Sequence, residues 1–296
     1  MKPNPERAQW RAYLQLMRAP NLFTAPADIL AGYFLVASAN QQVASLICLL
    51  LASASLYTGG IVLNDFFDYE TDCRERPQRP LPSGQISRRT AARLGFSLLI
   101  LGWLLAAASG TVSAWVALAL IGLIISYDAL TKNMAALGSL NMGACRFLNF
   151  LLGMSLGPLA TYRLLVPILT WVYVTAITTL SKGEVSGGSR RPAIRAVILL
   201  LGVLVWFLLL SLWHILPNRS ALIALALFAA IFFRPTLLAL ARPTAANITQ
   251  AVKLLVLGLI PLDAIITIAA KDWTHGALIL LLMVPALFLS RYLYVT

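Results

Sequence analysis

The stretch from residue 63 to residue 87 holds the side chains best suited to chemistry. It reads LNDFFDYETDCRERPQRPLPSGQIS and follows an apolar run long enough to cross a membrane. A helix advances about 100° per residue, so if the helix continues through this stretch, its four leading polar residues share one arc of about 100°: Asn64, Asp65, Asp68 and Asp72. Neighbouring carboxylates repel each other, and a cation relieves that repulsion. Oxygen ligands without histidine or cysteine favour a hard ion such as Mg²⁺.

Magnesium in proteins is usually held by one or two carboxylates together with phosphate oxygens of a substrate. The acidic arc therefore predicts a substrate that carries phosphate. The alternative is a solvated acidic helix end that pairs with its own arginines. That alternative explains less well why the acids share one arc.

The composition indicates the class of protein in which this cluster lies. The chain has 296 residues, of which 59% are hydrophobic and 11% charged, and its mean hydropathy is +0.81. Soluble domains carry roughly 25% charged residues, so this chain is a polytopic membrane protein. The net charge of +12 fits the excess of Lys and Arg in cytoplasmic loops and does not indicate nucleic-acid binding.

Ten apolar runs predict an all-α bundle of transmembrane helices in one domain, residues 1–296. A tilted or partly re-entrant ninth run would reduce the number of spans to nine. The predicted runs are 20–39, 43–63, 90–109, 112–127, 138–159, 165–182, 193–213, 220–240, 247–270 and 275–293.

The basic residues predict the orientation. With the N-terminus cytoplasmic, the opposite side keeps only Arg163, Arg219 and Lys271. The loops after the second, fourth and sixth runs then lie on the cytoplasmic face, at the plasma membrane if the source is bacterial.

The segments NDFFDYETD at 64–72 and RPLPSGQIS at 79–87 resemble the NDxxDxxxD motif of the UbiA superfamily of intramembrane prenyltransferases and its continuation. The resemblance implies a helix bundle around a central cavity that opens to the membrane. It also implies binding of an isoprenyl diphosphate through Mg²⁺ and transfer of the isoprenyl group to an acceptor. By position, Asn64, Asp68 and Asp72 would hold the ion with Asp65 nearby, and Arg79 would contact the diphosphate.

The second loop, YDALTK at 127–132, is similar to the YxxxK pattern of that family but has one extra residue. The resemblance implies substrate contacts from Tyr127, Asp128 and Lys132, with the lysine on the departing diphosphate. An ordinary positive-inside anchor is the alternative for Lys132.

The third loop departs from the second acidic motif of the family. Leu180 and Lys182 stand at positions that are acidic in relatives, and Glu184 is the one carboxylate left to bind metal or substrate. Lys182 could replace part of the charge of a second ion. This loop, read with YDALTK and NMGACRFLN, resembles the UbiA-like EboC branch, which implies a link to export or maturation of small natural products.

An arginine within an apolar run is costly unless it faces a polar cavity or a partner. Arg146 therefore predicts a cavity group that takes up charge on the diphosphate, with Asn149 on the same helix face. The alternative is a buried ion pair with Asp28 or Asp263. Asn21 is predicted either as a site residue or as a helix cap.

These residues predict Mg²⁺-dependent isoprenyl transfer, in which Asp68, Asp72, Lys132 and Arg146 act on the leaving group. The acceptor stays open among aromatic and lipid-like molecules, and membrane lipids surround the site. The alternative function is a weakly catalytic or non-catalytic protein that binds or exports a lipid or natural-product precursor. Prenyl length and oligomeric state have no signal in the sequence.

Overall fold

The computed structural model describes residues 5–37, 42–134, 136–184 and 188–291, in which helices are joined by short loops and no strand occurs. The α-helices are α1 Pro5–Leu16, α2 Thr24–Val36, α3 Val43–Phe67, α4 Tyr69–Glu75, α5 Arg88–Ser109, α6 Thr111–Ser126, α7 Leu137–Met154, α8 Ile168–Ser181, α9 Arg191–Leu212, α10 Ala221–Phe232, α11 Arg234–Ala241, α12 Ala245–Leu257, α13 Leu259–Ala270, α14 Trp273–Leu280 and α15 Met283–Ser290. Single turns of 3₁₀-helix cover Ala19–Phe23 and Thr161–Leu165, and a π-helical turn covers Tyr127–Thr131.

The predicted all-α membrane bundle is confirmed. Within the described residues, eight helical segments are long and apolar enough to span a membrane: Val43–Phe67, Arg88–Ser109, Thr111–Thr131, Thr161–Ser181, Arg191–Leu212, Ala221–Ala241, Ala245–Ala270 and Trp273–Ser290. The first and fifth predicted runs correspond to α2 and α7, which pack together in the same bundle. Residues 38–39 and 292–293 of the predicted runs lie outside the described residues.

The ninth run is one apolar segment with a break at Gly258 between α12 and α13. Pro261 has no N–H to continue the helical hydrogen bonds at this point. The Tyr173 hydroxyl donates to the Leu255 carbonyl at 2.8 Å, so it satisfies a backbone acceptor beside the break. The break brings Leu259 to the wall of the cavity described below.

Helices α2 and α7 approach each other through glycine. A methyl group built on Gly32 would collide with the Phe150 carbonyl, and one built on Gly153 would collide with the Ile29 carbonyl. Glycine at both positions therefore permits backbone contact between the two helices. This contact places the polar face of α7, which carries Arg146, directly against α2.

Candidate functional site

A cavity of about 530 Å³ lies where α3, α6 and α8 end, and α2, α7 and α12 complete its wall. We call the end of the bundle that carries residues 64–84, 127–134 and 181–184 the motif face. Apart from Asp65, every side chain predicted for the site lines this cavity: Asn21, Asn64, Asp68, Asp72, Arg79, Tyr127, Asp128, Lys132, Arg146, Asn149, Lys182 and Glu184. Apolar residues line its remainder, among them Leu56, Ile124, Val174, Ile177 and Val256. The cavity thus combines a charged mouth with an apolar interior.

The first motif is divided between two helices. Helix α3 ends at Phe67, Asp68 lies in the bridge region with φ −83° and ψ 1°, and α4 begins at Tyr69. The single continuous helix on which the shared arc depended is therefore wrong. Asp68 and Asp72 nevertheless line the same cavity, because the Asp72 amide bonds to the Asp68 carbonyl at 2.8 Å and keeps the chain turning.

Cations of the chain pair with the acids of the first motif. The Lys132 ammonium lies 2.6 Å from an Asp68 oxygen, and the Arg79 guanidinium lies 2.7 Å from an Asp72 oxygen. Acidic and basic groups thus alternate at the mouth, where they can hold a cation and an anion side by side.

Asp65 lies behind this mouth and not in the main cavity. It accepts from Arg18 at 3.0 Å and from Arg79 at 3.4 Å, and it lines a neighbouring cavity of about 430 Å³. Asp65 therefore lies near the site but does not line the main cavity, and its predicted part in substrate binding stays a prediction. Asp65 orients Arg79, whose other contact is Asp72.

The second loop absorbs its extra residue in the π-helical turn. The Lys132 amide bonds to the Tyr127 carbonyl at 3.1 Å, an i to i+5 bond that encloses one residue more than an α-helical turn. Tyr127 and Lys132 both line the cavity, and Lys132 still reaches Asp68. The spacing that departs from the family pattern therefore still brings both side chains to the site.

Asp128 lies within the same turn and faces α3. Its Oδ1 accepts a hydrogen bond from the Asn64 amide at 2.9 Å. The side chain is only 3% exposed, and no described residue forms a hydrogen bond with its Oδ2.

The third loop completes the mouth as far as the structure describes it. Leu180 is fully buried, the Lys182 ammonium donates to the Met134 carbonyl at 3.0 Å, and Glu184 lines both cavities. Burial raises the pKa of Glu184, against the opposing effect of Arg76, Arg18, Lys253 and Arg79, and burial lowers the pKa of Lys182. Residues 185–187 of this loop lie outside the described residues.

Arg146 lies deeper in the bundle. Its guanidinium donates to Asp28 at 3.0 Å and to the Thr24 hydroxyl at 2.7 Å, and it covers the Tyr57 ring at 5.0 Å. Tyr57 precedes Asn64 by seven residues on α3, which is about 10 Å along a helix. Arg146 lines the cavity and also forms the buried ion pair with Asp28. Its predicted contact with the diphosphate stays a prediction.

Asn149 extends this buried network. Its amide donates to Asp28 at 2.8 Å and to the Ala25 carbonyl at 2.9 Å, and its oxygen accepts from Ser53 at 2.7 Å. Asp263 interacts with Asp28 electrostatically and through a side-chain hydrogen bond, and neither Asp263 oxygen has a partner among the other described residues. The network joins α2, α3, α7 and α13 below the cavity.

The oxygen donors at the mouth fit Mg²⁺ only in combination with a phosphate ligand. Within the described ranges, no three His, Cys, Asp or Glu side chains lie close enough together to hold a metal ion. Two carboxylates, Asp68 and Asp72, with the amide oxygen of Asn64, form the partial set that Mg²⁺ uses when a substrate supplies the remaining oxygens.

Arg18 and Tyr57 are among the lining residues that were not predicted as site residues. Arg18 lines the cavity beside Asn21, and Tyr57 forms its deep wall. Tyr57 had a signal in the sequence, because seven residues on a helix return nearly to the same face as Asn64. Arg18 pairs with Asp65 across 47 positions, a contact that only the fold reveals.

Comparison with known proteins identifies relatives of this chain. The sequence model of the UbiA prenyltransferase family matches residues 27–257. The digeranylgeranylglyceryl phosphate synthase of Ignicoccus hospitalis is 41% identical over 103 residues, which are 34% of this chain and 32% of the relative. The synthase of the same name from Metallosphaera sedula is 33% identical over 143 residues, 48% of this chain and 50% of the relative. The chain thus spans a third to a half of the length of these curated relatives.

Solved structures share the fold. A UbiA homologue from Aeropyrum pernix K1 has a TM-score of 0.66 at 15% identity and covers 83% of this chain and 96% of its own. A UbiA homologue from Archaeoglobus fulgidus bound to GPP and Mg²⁺ has a TM-score of 0.54 at 16% identity and covers 94% of this chain and 99% of its own. Identities this low establish the likeness of the fold alone.

Proposed function

Because the chain belongs to the UbiA prenyltransferase family, we propose that it transfers an isoprenyl group from an isoprenyl diphosphate to an acceptor within the membrane. The observation that carries this proposal is the cavity itself. Its mouth pairs Asp68 with Lys132 and Asp72 with Arg79, and its interior is apolar. An isoprenyl diphosphate has the matching division into an anionic head and an apolar tail.

Mg²⁺ is the cofactor in this proposal, held by Asn64, Asp68 and Asp72 with Glu184 across the mouth. When bound, the ion would neutralise negative charge on the diphosphate. The Archaeoglobus fulgidus homologue was solved with GPP and Mg²⁺, which supports the pairing of these two ligands in this fold.

The residues of the chain act on the leaving group. As the allylic carbon–oxygen bond breaks, its electron pair remains on the diphosphate oxygen. Lys132 and Arg79 would donate to that diphosphate, and Lys182 would add a third cation at the mouth. The acceptor then forms the new bond to the allylic carbon and loses its proton. Arg146 and Asn149 form the cavity floor in this proposal and hold its helices together.

The apolar wall excludes water from the allylic cation. Leu56, Ile124, Val174 and Ile177 contribute to this wall, and Tyr57 and Tyr127 add aromatic faces. An aromatic face also stabilises a cation beside it.

The acceptor in this proposal is aromatic or lipid-like. The relatives named digeranylgeranylglyceryl phosphate synthases make a lipid acceptor the first to test. The EboC-branch assignment, a single domain over residues 1–296 and a cytoplasmic N-terminus belong to the same proposal. The cytoplasmic motif face would then meet diphosphates made in the cytoplasm, at the plasma membrane of a bacterial source.

The test is prenyl transfer by the purified chain in detergent. We expect Mg²⁺-dependent consumption of geranylgeranyl diphosphate in the presence of an extract of membrane lipids and phenolic metabolites, with the product identified by mass spectrometry. Failure to bind any isoprenyl diphosphate in the presence of Mg²⁺ would refute the proposal.

The altered third loop favours a second candidate. Leu180 and Lys182 leave Glu184 as the one acid that this loop contributes to the cavity in the described residues. A protein that binds a prenylated lipid or natural-product precursor without transferring its chain would tolerate this change. Binding of geranylgeranyl diphosphate without its consumption by any acceptor would select this candidate.

A further inference from the structure

One oxygen of Asp128 has no partner in the fold. Its Oδ1 accepts from Asn64, whereas its Oδ2 is buried and forms no hydrogen bond with any described residue. The side chain is less than a tenth exposed and lines the cavity. Buried carboxyl oxygens in folded proteins nearly always have a partner. An oxygen without one, in the wall of a binding cavity, indicates a ligand that it contacts.

Two features of the fold hold Asp128 at this point. The π-helical turn Tyr127–Thr131 displaces the backbone from α-helical geometry, and π turns occur often at functional positions. The Asn64 amide nitrogen then fixes the carboxyl group from the facing helix. Because Asn64 uses its nitrogen for Asp128, its amide oxygen is the atom left for a cation.

The nearest cation does not neutralise Asp128 by direct contact. Lys132 lies four residues further along the chain, but its ammonium pairs with Asp68 at 2.6 Å. Asp68 and Asp128 both line the cavity and act on each other as like charges. A divalent cation between them would satisfy both, which is how neighbouring carboxylates are commonly stabilised.

The third loop supplies little negative charge to the cavity. In its described part, Glu184 is the one acid that lines the cavity, and Lys182 lines it as well. Asp128 supplies a carboxylate to the same cavity from the second loop.

We propose that Asp128, together with Asp68, is an oxygen ligand of the cation that binds the diphosphate, and that Asn64 positions it. The inference rests on the proposed function, since it concerns the ion of the same site. It differs from that proposal in assigning the ion a ligand from the second loop.

The experiment measures the affinity of the purified chain for Mn²⁺, a paramagnetic substitute for Mg²⁺. The chain is titrated with Mn²⁺ in the presence of geranyl thiodiphosphate, a slowly reacting substrate analogue, and EPR reports the bound ion. Asp128→Asn keeps the acceptor that Asn64 needs and removes the charged Oδ2. We expect the apparent Kd for Mn²⁺ to rise at least tenfold. The matched control is Glu70→Gln, which removes a carboxylate of the first motif region that is exposed and pairs with Arg88. We expect less than a twofold change in this control.

A second variant separates ligation from structure. Asp128→Cys should lose affinity for Mn²⁺ and gain at least tenfold for Cd²⁺, because a thiolate favours soft metals. Equal Mn²⁺ affinity in wild type and Asp128→Asn would overturn the inference while leaving the proposed function intact. Loss of folding in Asp128→Asn would also overturn it, because Oδ2 would then have a structural partner. Wild-type protein that binds neither the analogue nor Mn²⁺ would instead refute the proposed function.

Discussion

Acids and bases at the motif face restrain one another. Asp68 is held by Lys132, and Asp72 and Asp65 share Arg79. Each pair involves at least one largely buried side chain, so the charges keep fixed positions at the mouth. Substitution of one partner therefore changes both the charge that binds a ligand and the position of the charge that remains.

The first prediction concerns Asp68. Substitution of a residue that only orients a metal ligand lowers activity by up to roughly 100-fold. Asp68 is itself a proposed ligand, so Asp68→Ala should lower isoprenyl transfer by more than this. Steady-state assays at saturating Mg²⁺ measure this loss, with Glu70→Gln as the control that keeps near wild-type turnover. An Asp68→Ala protein with more than a tenth of wild-type activity would contradict the assignment.

The second prediction concerns the pH dependence of Glu184. Burial raises the pKa of this carboxyl in the folded chain, so folding favours its protonated form. The stability that comes from this protonated form is fully present below the ordinary pKa of 4.5 and is lost as the pH rises through the raised value. Glu184→Gln, which mimics the protonated form, should therefore raise the melting temperature at pH 8 and leave it unchanged at pH 4.

Melting curves in detergent and chelator measure this difference across the pH range. A stabilisation by Glu184→Gln that grows toward acid pH would show the opposite sign and would contradict the burial argument.

At the scale of elements, close packing of α2 on α7 determines where the cavity floor lies. In Gly153→Ala, the new methyl group would collide with the Ile29 carbonyl. Extra volume in a packed interface usually costs about 1–3 kcal/mol, so this variant should destabilise the bundle by that amount. Thermal unfolding in detergent measures the loss. Gly122→Ala on α6 is the matched control, since nothing lies within 4 Å of its added methyl group, and it should be neutral or slightly stabilising.

Helices α2 and α13 each carry a buried acid beside Arg146 of α7. Asp28 and Asp263 are fully buried and interact with each other and with the charge of Arg146, whose guanidinium lies 3.0 Å from Asp28. Burial of two charged carboxylates beside one cation is costly, so one acid is enough to balance Arg146. Asp28→Asn and Asp263→Asn alone should each cost about 1 kcal/mol or less, the low end of point substitutions, because the remaining acid neutralises Arg146.

The double variant should cost about 3–5 kcal/mol more than the sum of the single variants, because Arg146 is then buried without a counter-ion. A double-mutant cycle of melting temperatures tests this. Additive losses would show that the two acids act independently.

At the scale of the whole molecule, the chain has a natural reporter of orientation. Cys73 on α4 is exposed at the motif face, whereas Cys48 and Cys145 are half-buried within the bundle. A membrane-impermeant maleimide should label Cys73 only from the cytoplasmic side of sealed vesicles. Labelling from the opposite side alone would reverse the proposed orientation, and Cys73→Ser is the control for background labelling.

The sequence predicted most helices of the bundle and many of the polar residues that line the cavity. Hydropathy located the spans because length and apolarity are local properties. Local patterns did not reveal the turn at Asp68, the position of Asp65 behind the mouth or the depth of Arg146. Each of these depends on contacts between segments far apart in the chain, such as the bond from Arg146 to Asp28 across 118 positions.

That separation of Asp28 from Arg146 has a consequence for how the protein is made. Synthesis at about 5–20 residues per second places roughly 6–24 s between the emergence of the two residues. During this time α2 carries a carboxyl that would cost about 2.5–3.5 kcal/mol at the bilayer centre without its cation. We therefore expect α2 to wait beside the insertion machinery or at the lipid surface. Its integration into the bilayer would then follow the arrival of α7.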